Sequence, residues 1–140
     1  MALSARELRI GNLINFRNEF YPVCLIGADL IKIDIGYGAV QRFETNPVIS
    51  PEIKELSPIP LAEDWLKRFG FQEYIDFGVN TGLWDKIPLC GFSYDIAKKR
   101  VMIMHKGNFN SHWLNAEIQY VHQLMNLYFA LTGEELKLTE

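Results

Sequence analysis

The run Tyr120–Leu136, YVHQLMNLYFALTGEEL, carries the most regular helical pattern in the chain and sets a helix beside many strand signals. From Val121 onward, Leu124, Met125, Tyr128 and Leu131 follow the spacing of one helical stripe, and Leu127 widens it. Gly133 stands where a left-handed residue would end the helix, and Leu136 is placed to fold back over the last turn. His122, Gln123 and Asn126 fall mostly off the stripe. The expectation is a packing helix with Val121, Leu124, Tyr128 and Leu131 in the core and its polar residues on the wet side.

Upstream, CGFSYDIAKKRVMIMH offers two extended arms, Phe92 to Ile96 and Val101 to His105, joined by a polar turn as a β-hairpin. WLNAEIQY alternates Leu114, Ala116, Ile118 and Tyr120, which suggests a third strand. Gly78, Gly82 and Pro88 interrupt QEYIDFGVNTGLWDKIPL, so that stretch is expected to be a loop or irregular strand. LAEDWLKRFGF reads as a short helix. Glu63 and Asp64 stand in its first turn and Lys67 and Arg68 in its last, complementing the helix dipole, and Gly70 follows as the left-handed C′ residue. Leu61, Trp65, Leu66 and Phe69 share its apolar face.

Residues 8–56 carry the punctuation of short strands. NLINF, FYPVCLI, LIKIDI and AVQRF are separated by RNE, GAD and GYG, and Ile31, Ile33 and Ile35 alternate with Lys32 and Asp34. Pro22 cannot donate to a ladder, which points to an edge or a bulge. A small curled sheet or open barrel of the Src-homology-3 type is expected here. SPEIKELSPIPL, with Pro51, Pro58 and Pro60, has the stiffness of a connection. The fold expected is therefore α+β: a small β lobe over residues 1–60, then an α+β lobe over residues 61–140 with an antiparallel sheet and two helices, the two sharing a core.

At 140 residues, with 49% apolar and 22% charged residues, the composition is that of an ordinary globular protein. Formal charge is −3. Neither lobe has the positive excess on which nucleic-acid affinity rests, since residues 1–60 hold 6 basic and 7 acidic residues and the remainder 8 and 10. Cys24 and Cys90 sit among apolar neighbours, as buried free thiols of a reducing cytoplasm would. No signal peptide or membrane span is recognisable, so a soluble cytoplasmic protein is expected.

His105, His112 and His122 lie seven and ten residues apart without clustered acids or thiolates, a poor metal set. Neither a nucleophile elbow nor a phosphate-cradling glycine motif is present, so no catalytic residue and no cofactor is assigned. Lys98, Lys99 and Arg100 form the basic cluster, flanked in sequence by Phe92, Tyr94, Phe109 and Trp113. As a nucleic-acid surface these would combine charge with stacking rings; as a hairpin turn they are simply solvated. The turn is preferred.

Three blocks, ELRIGN (Glu7–Asn12), PIPLAEDWLKRFGF (Pro58–Phe71) and YVHQLMNLYFALTGEEL (Tyr120–Leu136), together resemble a widespread group of short uncharacterised proteins of Bacteroides-type gut bacteria, their prophages and their phages. That group often carries Ser or Thr before the two acids of the middle block and Gln in the last one, where this chain has Ala62 and Met125. The resemblance implies a context, a small accessory protein of a mobile element or its host, and no activity. A non-enzymatic interaction module that binds a protein partner or itself is the leading expectation, ahead of a nucleic-acid-binding module and a small hydrolase.

Overall fold

The structure, a computed structural model, describes residues 3, 5–27, 30–35, 48–76, 78–86, 92–104 and 111–139. The chain forms two compact units. The first comprises Met1–Pro60 and Tyr120–Glu134, and the second comprises Leu61–Gln119 and Glu135–Glu140.

In the first unit, β1 (Leu13–Phe16) and β2 (Glu19–Ile26) form an antiparallel hairpin in which Phe16 faces Glu19. Its two-residue turn has Arg17 and Asn18 both at positive φ, 52° and 67°, the left-handed pair that matches strand twist in a type I′ turn. β3 (Ile31–Asp34) pairs with β2, β4 (Val48–Ile49) with β3, and β5 (Leu56–Ser57) with β1, giving the order β4-β3-β2-β1-β5. As the alternation predicts, Ile31 and Ile33 are buried while Lys32 and Asp34 are half-buried. They pack with Ile14, Phe16, Val23 and Leu56.

Pro22 lies in an interior strand rather than at an edge. The Val23 N–H donates to the Asn12 carbonyl on the β1 side, so the Pro22 nitrogen points the other way, one residue before the β2–β3 ladder begins at Val23. No donor is needed there. The register of that ladder shifts between Val23 and Leu25, which places the bulge at Cys24. The prolyl connection is also more structured than expected: Ile53–Glu55 form a 3₁₀ turn, and Leu56–Ser57 are built into the sheet. GYG and AVQRF lie outside the described residues.

The second unit opens with α1 (Glu63–Arg68), which ends at Phe69 and Gly70, the latter at φ 85°. Leu66 and Phe69 are fully buried. The Lys86 Nζ donates to the Phe69 carbonyl at 2.7 Å, and Thr139 donates to the Arg68 carbonyl through both its N–H and its hydroxyl, at 2.6 and 2.9 Å. The last helical carbonyl and the C-cap carbonyl thereby find donors. Its N-cap Ala62 is extended and offers no side-chain oxygen. Ala62→Ser is therefore expected to raise unfolding free energy by about 1 kcal/mol, read as a higher urea midpoint at unchanged m-value.

The glycine-interrupted stretch, expected as a loop or irregular strand, is a hairpin with one irregular, bulged strand. β6 (Phe71–Asp76) and β7 (Val79–Lys86) pair antiparallel around the Gly78 turn. Thr81, Gly82 and Leu83 face Tyr74 alone, so Gly82, at φ 80°, is absorbed as a bulge. The expected hairpin follows as β8 (Phe92–Asp95) and β9 (Arg100–Met104). The third strand, β10 (Ser111–Trp113), overlaps the expected WLNAEIQY segment only at Trp113 and carries His112 on an exposed strand position. Residues 114–119 are irregular because their polar groups are used elsewhere: the Ile118 N–H donates to the Lys99 carbonyl, and the Ile118 carbonyl accepts from the Tyr94 hydroxyl at 2.6 Å. Burial beside Asp95 and Glu117 pushes that phenol up to about 12. The sheet order is β10-β9-β8-β7-β6.

With two antiparallel sheets and two helices the fold is α+β, and neither sheet closes into a barrel among the described residues. No helix among them is long and apolar enough to cross a membrane. The final helix, α2 (Val121–Thr132), departs from expectation in its unit: it packs on β1 and belongs with residues 1–60, not with 61–119. Leu136, expected over its last turn, is buried and counted with the second unit. Gly133 ends α2 at φ 75°, as the sequence predicts.

Candidate interaction surface

The buried arc of α2 is rotated from the apolar stripe toward its polar residues. Val121, Leu124, Met125 and Tyr128 are buried, but so is His122 at 0% exposure, while Leu131, expected in the core, is 48% exposed. The cause lies in the ELRIGN segment. The Arg9 N–H donates to the Asn12 Oδ1 at 2.8 Å, and Asn12 Nδ2 and Arg9 Nη1 both donate to the Asn126 Oδ1 at 2.9 and 3.0 Å. The Asn126 Nδ2 in turn donates to the Glu7 carbonyl at 2.8 Å, and the Arg9 guanidinium lies 4.0 Å over the Phe129 ring. This clasp turns Asn126 inward and brings the first and last of the three sequence blocks together. Gln123 has a local duty, accepting from the Tyr120 N–H at the helix start.

His122 stacks on Tyr120, with ring planes 9° apart and centroids at 6.0 Å, and neither of its nitrogens has a hydrogen-bond partner among the described residues. Burial pulls its pKa down, and the nearby Glu7 carboxylate works against that with a smaller effect. The result is a neutral core histidine rather than a surface one. Cys24 is a free, half-buried thiol whose pKa is pushed up, first by burial and then by Asp34, the reverse of what activates a nucleophile. Cys90 and His105 lie outside the described residues, among which no three His, Cys, Asp or Glu side chains gather to hold a metal.

The basic cluster spans the β8–β9 turn (Lys98, Lys99) and the first residue of β9 (Arg100). Lys98, Lys99 and Arg100 are all exposed, and Lys99 takes a positive φ of 57°. Asp95 builds the turn by accepting from the Ala97 and Lys98 N–H groups, each at 2.9 Å. Of the flanking rings, Phe92 and Tyr94 are buried and Phe109 lies outside the described residues. Trp113 is 39% exposed, and the Lys98 ammonium lies 4.4 Å from its ring centroid. A cation and an aromatic that a nucleic acid would engage are thus already in contact with each other.

An exposed apolar surface with backbone chemistry attached is β6, one of the two terminal strands of its sheet. Phe71 is buried and T-stacked on Phe92 at 6.1 Å, but the strand overshoots the core: Tyr74 is 46% exposed and Ile75 58%. Being adjacent, these two project to opposite faces of the sheet. The Thr81 hydroxyl, on β7, donates to the Tyr74 carbonyl at 2.8 Å, so Tyr74 turns its polar backbone toward β7. Its neighbours Glu73 and Ile75 therefore turn theirs outward. No backbone hydrogen bond reaches that outer side among the described residues. Neither Lys nor Pro guards the strand, although these are the residues with which edges are usually blunted. A loop or irregular strand is what the sequence suggests for this segment, which does not single out Tyr74 or Ile75; the signal available was the Gly78 turn directly after the run Phe71–Asp76. Comparison with models of known families, with curated proteins and with solved structures finds no match to this chain.

Proposed function

We propose that this chain is a non-enzymatic protein-interaction module of the cytoplasm, an accessory protein of a mobile element or its bacterial host. The observation that carries this reading is the outer edge of β6, unpaired among the described residues, where the backbone groups of Glu73 and Ile75 turn outward beside the exposed side chains of Tyr74 and Ile75. An added strand gains main-chain hydrogen bonds from such an edge and selectivity from the side chains on either face. The raised Cys24 pKa speaks against thiol chemistry at that residue, and the contact between Lys98 and Trp113 against a free stacking platform for nucleic acid.

The test uses tagged chain expressed in its host beside an untagged copy. Ile75→Pro removes an outward N–H while leaving the β7 ladder its donors, and Tyr74→Lys places a charge where the apolar contact would form. At least one polypeptide, the untagged copy included, is expected to be retained by the wild type and lost from both variants at unchanged unfolding midpoint. Equal retention by all three refutes the reading.

A further inference from the structure

Resting on that reading, we infer that the occupant of the β6 edge is a second copy of this chain, paired antiparallel through a two-fold axis at Tyr74. An antiparallel pair must oppose outward residues with outward residues, so a symmetric pairing of β6 with itself centres on one residue. Centring on Glu73 sets two carboxylates directly against each other, which is destabilising. Centring on Ile75 drives the start of the partner strand into the Gly78 turn. Centring on Tyr74 matches residues 72–76 with 76–72 of the second copy. Tyr74 then meets Tyr74 of the other copy, and each Ile75 lies across from a Glu73, so no like charges are directly opposed. Glu73 and Ile75 form the hydrogen-bonded pairs, and Tyr74 the close, non-hydrogen-bonded pair between them.

Both exposed side chains of β6 are covered by this one register, on opposite faces of the joined sheet. Pairing over five residues buries less than a standard interface, so the dimer is weak, with a dissociation constant above about 1 μM. A basic extended strand could take the same edge through Glu73, and the test separates it from a second copy.

Purified chain is followed by light scattering from about 10 μM to about 1 mM, a range that brackets so small an interface. Wild type is expected to pass from monomer to dimer across the series, and Ile75→Pro to remain monomeric with an unchanged near-UV circular dichroism spectrum. Register is read by cross-linking with diamide, which takes up the two electrons and two protons as two thiols join. Tyr74→Cys places its sulfurs on Cα atoms about 4.5 Å apart, within disulfide reach. Gln72→Cys leaves its own pair roughly 14 Å apart at about 3.4 Å per residue. Fast dimer cross-linking of Tyr74→Cys alone, above the wild-type background from Cys24 and Cys90, is the expected result. A wild type that stays monomeric throughout, or equal cross-linking at both positions, overturns the assignment. If a lysine-rich extended peptide binds wild type but not Ile75→Pro while the chain stays monomeric, the edge remains an interaction site and the second copy is rejected.

Discussion

Leu124→Ala is expected to lower the unfolding free energy by about 2–5 kcal/mol, a large share of the roughly 5–15 kcal/mol typical of a domain. Leu124 is fully buried on α2, the helix that packs on β1. The truncation removes apolar contacts and leaves a cavity that a strand-backed helix cannot close by shifting, because the Asn126 clasp and the Gln123 cap fix its position along the sheet. Leu131→Ala, on the same apparent stripe but 48% exposed, is expected to cost well under half as much. Urea midpoints for the two variants check both statements, and equal shifts would mean that the apolar stripe, not the rotated arc, faces the core.

Acid is expected to destabilise the protein through His122. Its native pKa is held below the ordinary 6.5 by burial, so the unfolded chain binds the proton that the folded chain refuses. The stabilisation is complete above the unfolded value and is lost as pH falls below about 6.5 toward the native value, with a slope approaching about 1.4 kcal/mol per pH unit for one proton taken up. Glu7 nearby moderates the effect, since its negative charge favours the protonated ring. His122→Phe keeps the stack on Tyr120 and removes two buried nitrogens without partners. It should match or exceed wild type at pH 7.5 and be clearly more stable at pH 5. Parallel pH profiles for the two proteins would show that the acid limb arises elsewhere.

Legibility followed the range of the interactions. Strands β1 to β3, the short helix with Gly70 and the β8–β9 hairpin were readable because a strong period and its turn residues lie side by side in the chain. The β6–β7 hairpin was not, because the Gly82 bulge breaks the alternation that identifies a strand. Which side of α2 is buried was not readable either. Asn126 faces inward because Glu7, Arg9 and Asn12 hydrogen-bond to it, a contact across more than a hundred positions, and His122 is buried within reach of the Glu7 charge. The candidate site was the least visible feature, since whether Tyr74 sits on an edge depends on strand order and not on any local pattern.

The assignment of α2 to the first unit has a consequence for synthesis. Its sheet leaves the ribosome long before the helix that packs on β1 is made, because the whole of Leu61–Gln119 is translated in between. At about 5–20 residues per second that interval lasts roughly 3–12 s. During it β1 stands without the helix that packs on it, an exposure that makes the half-made chain a natural client for a ribosome-bound chaperone. It also means that a fragment ending at Pro60 is not a minimal domain: supplying Tyr120–Glu134 as a separate peptide should restore what truncation removes.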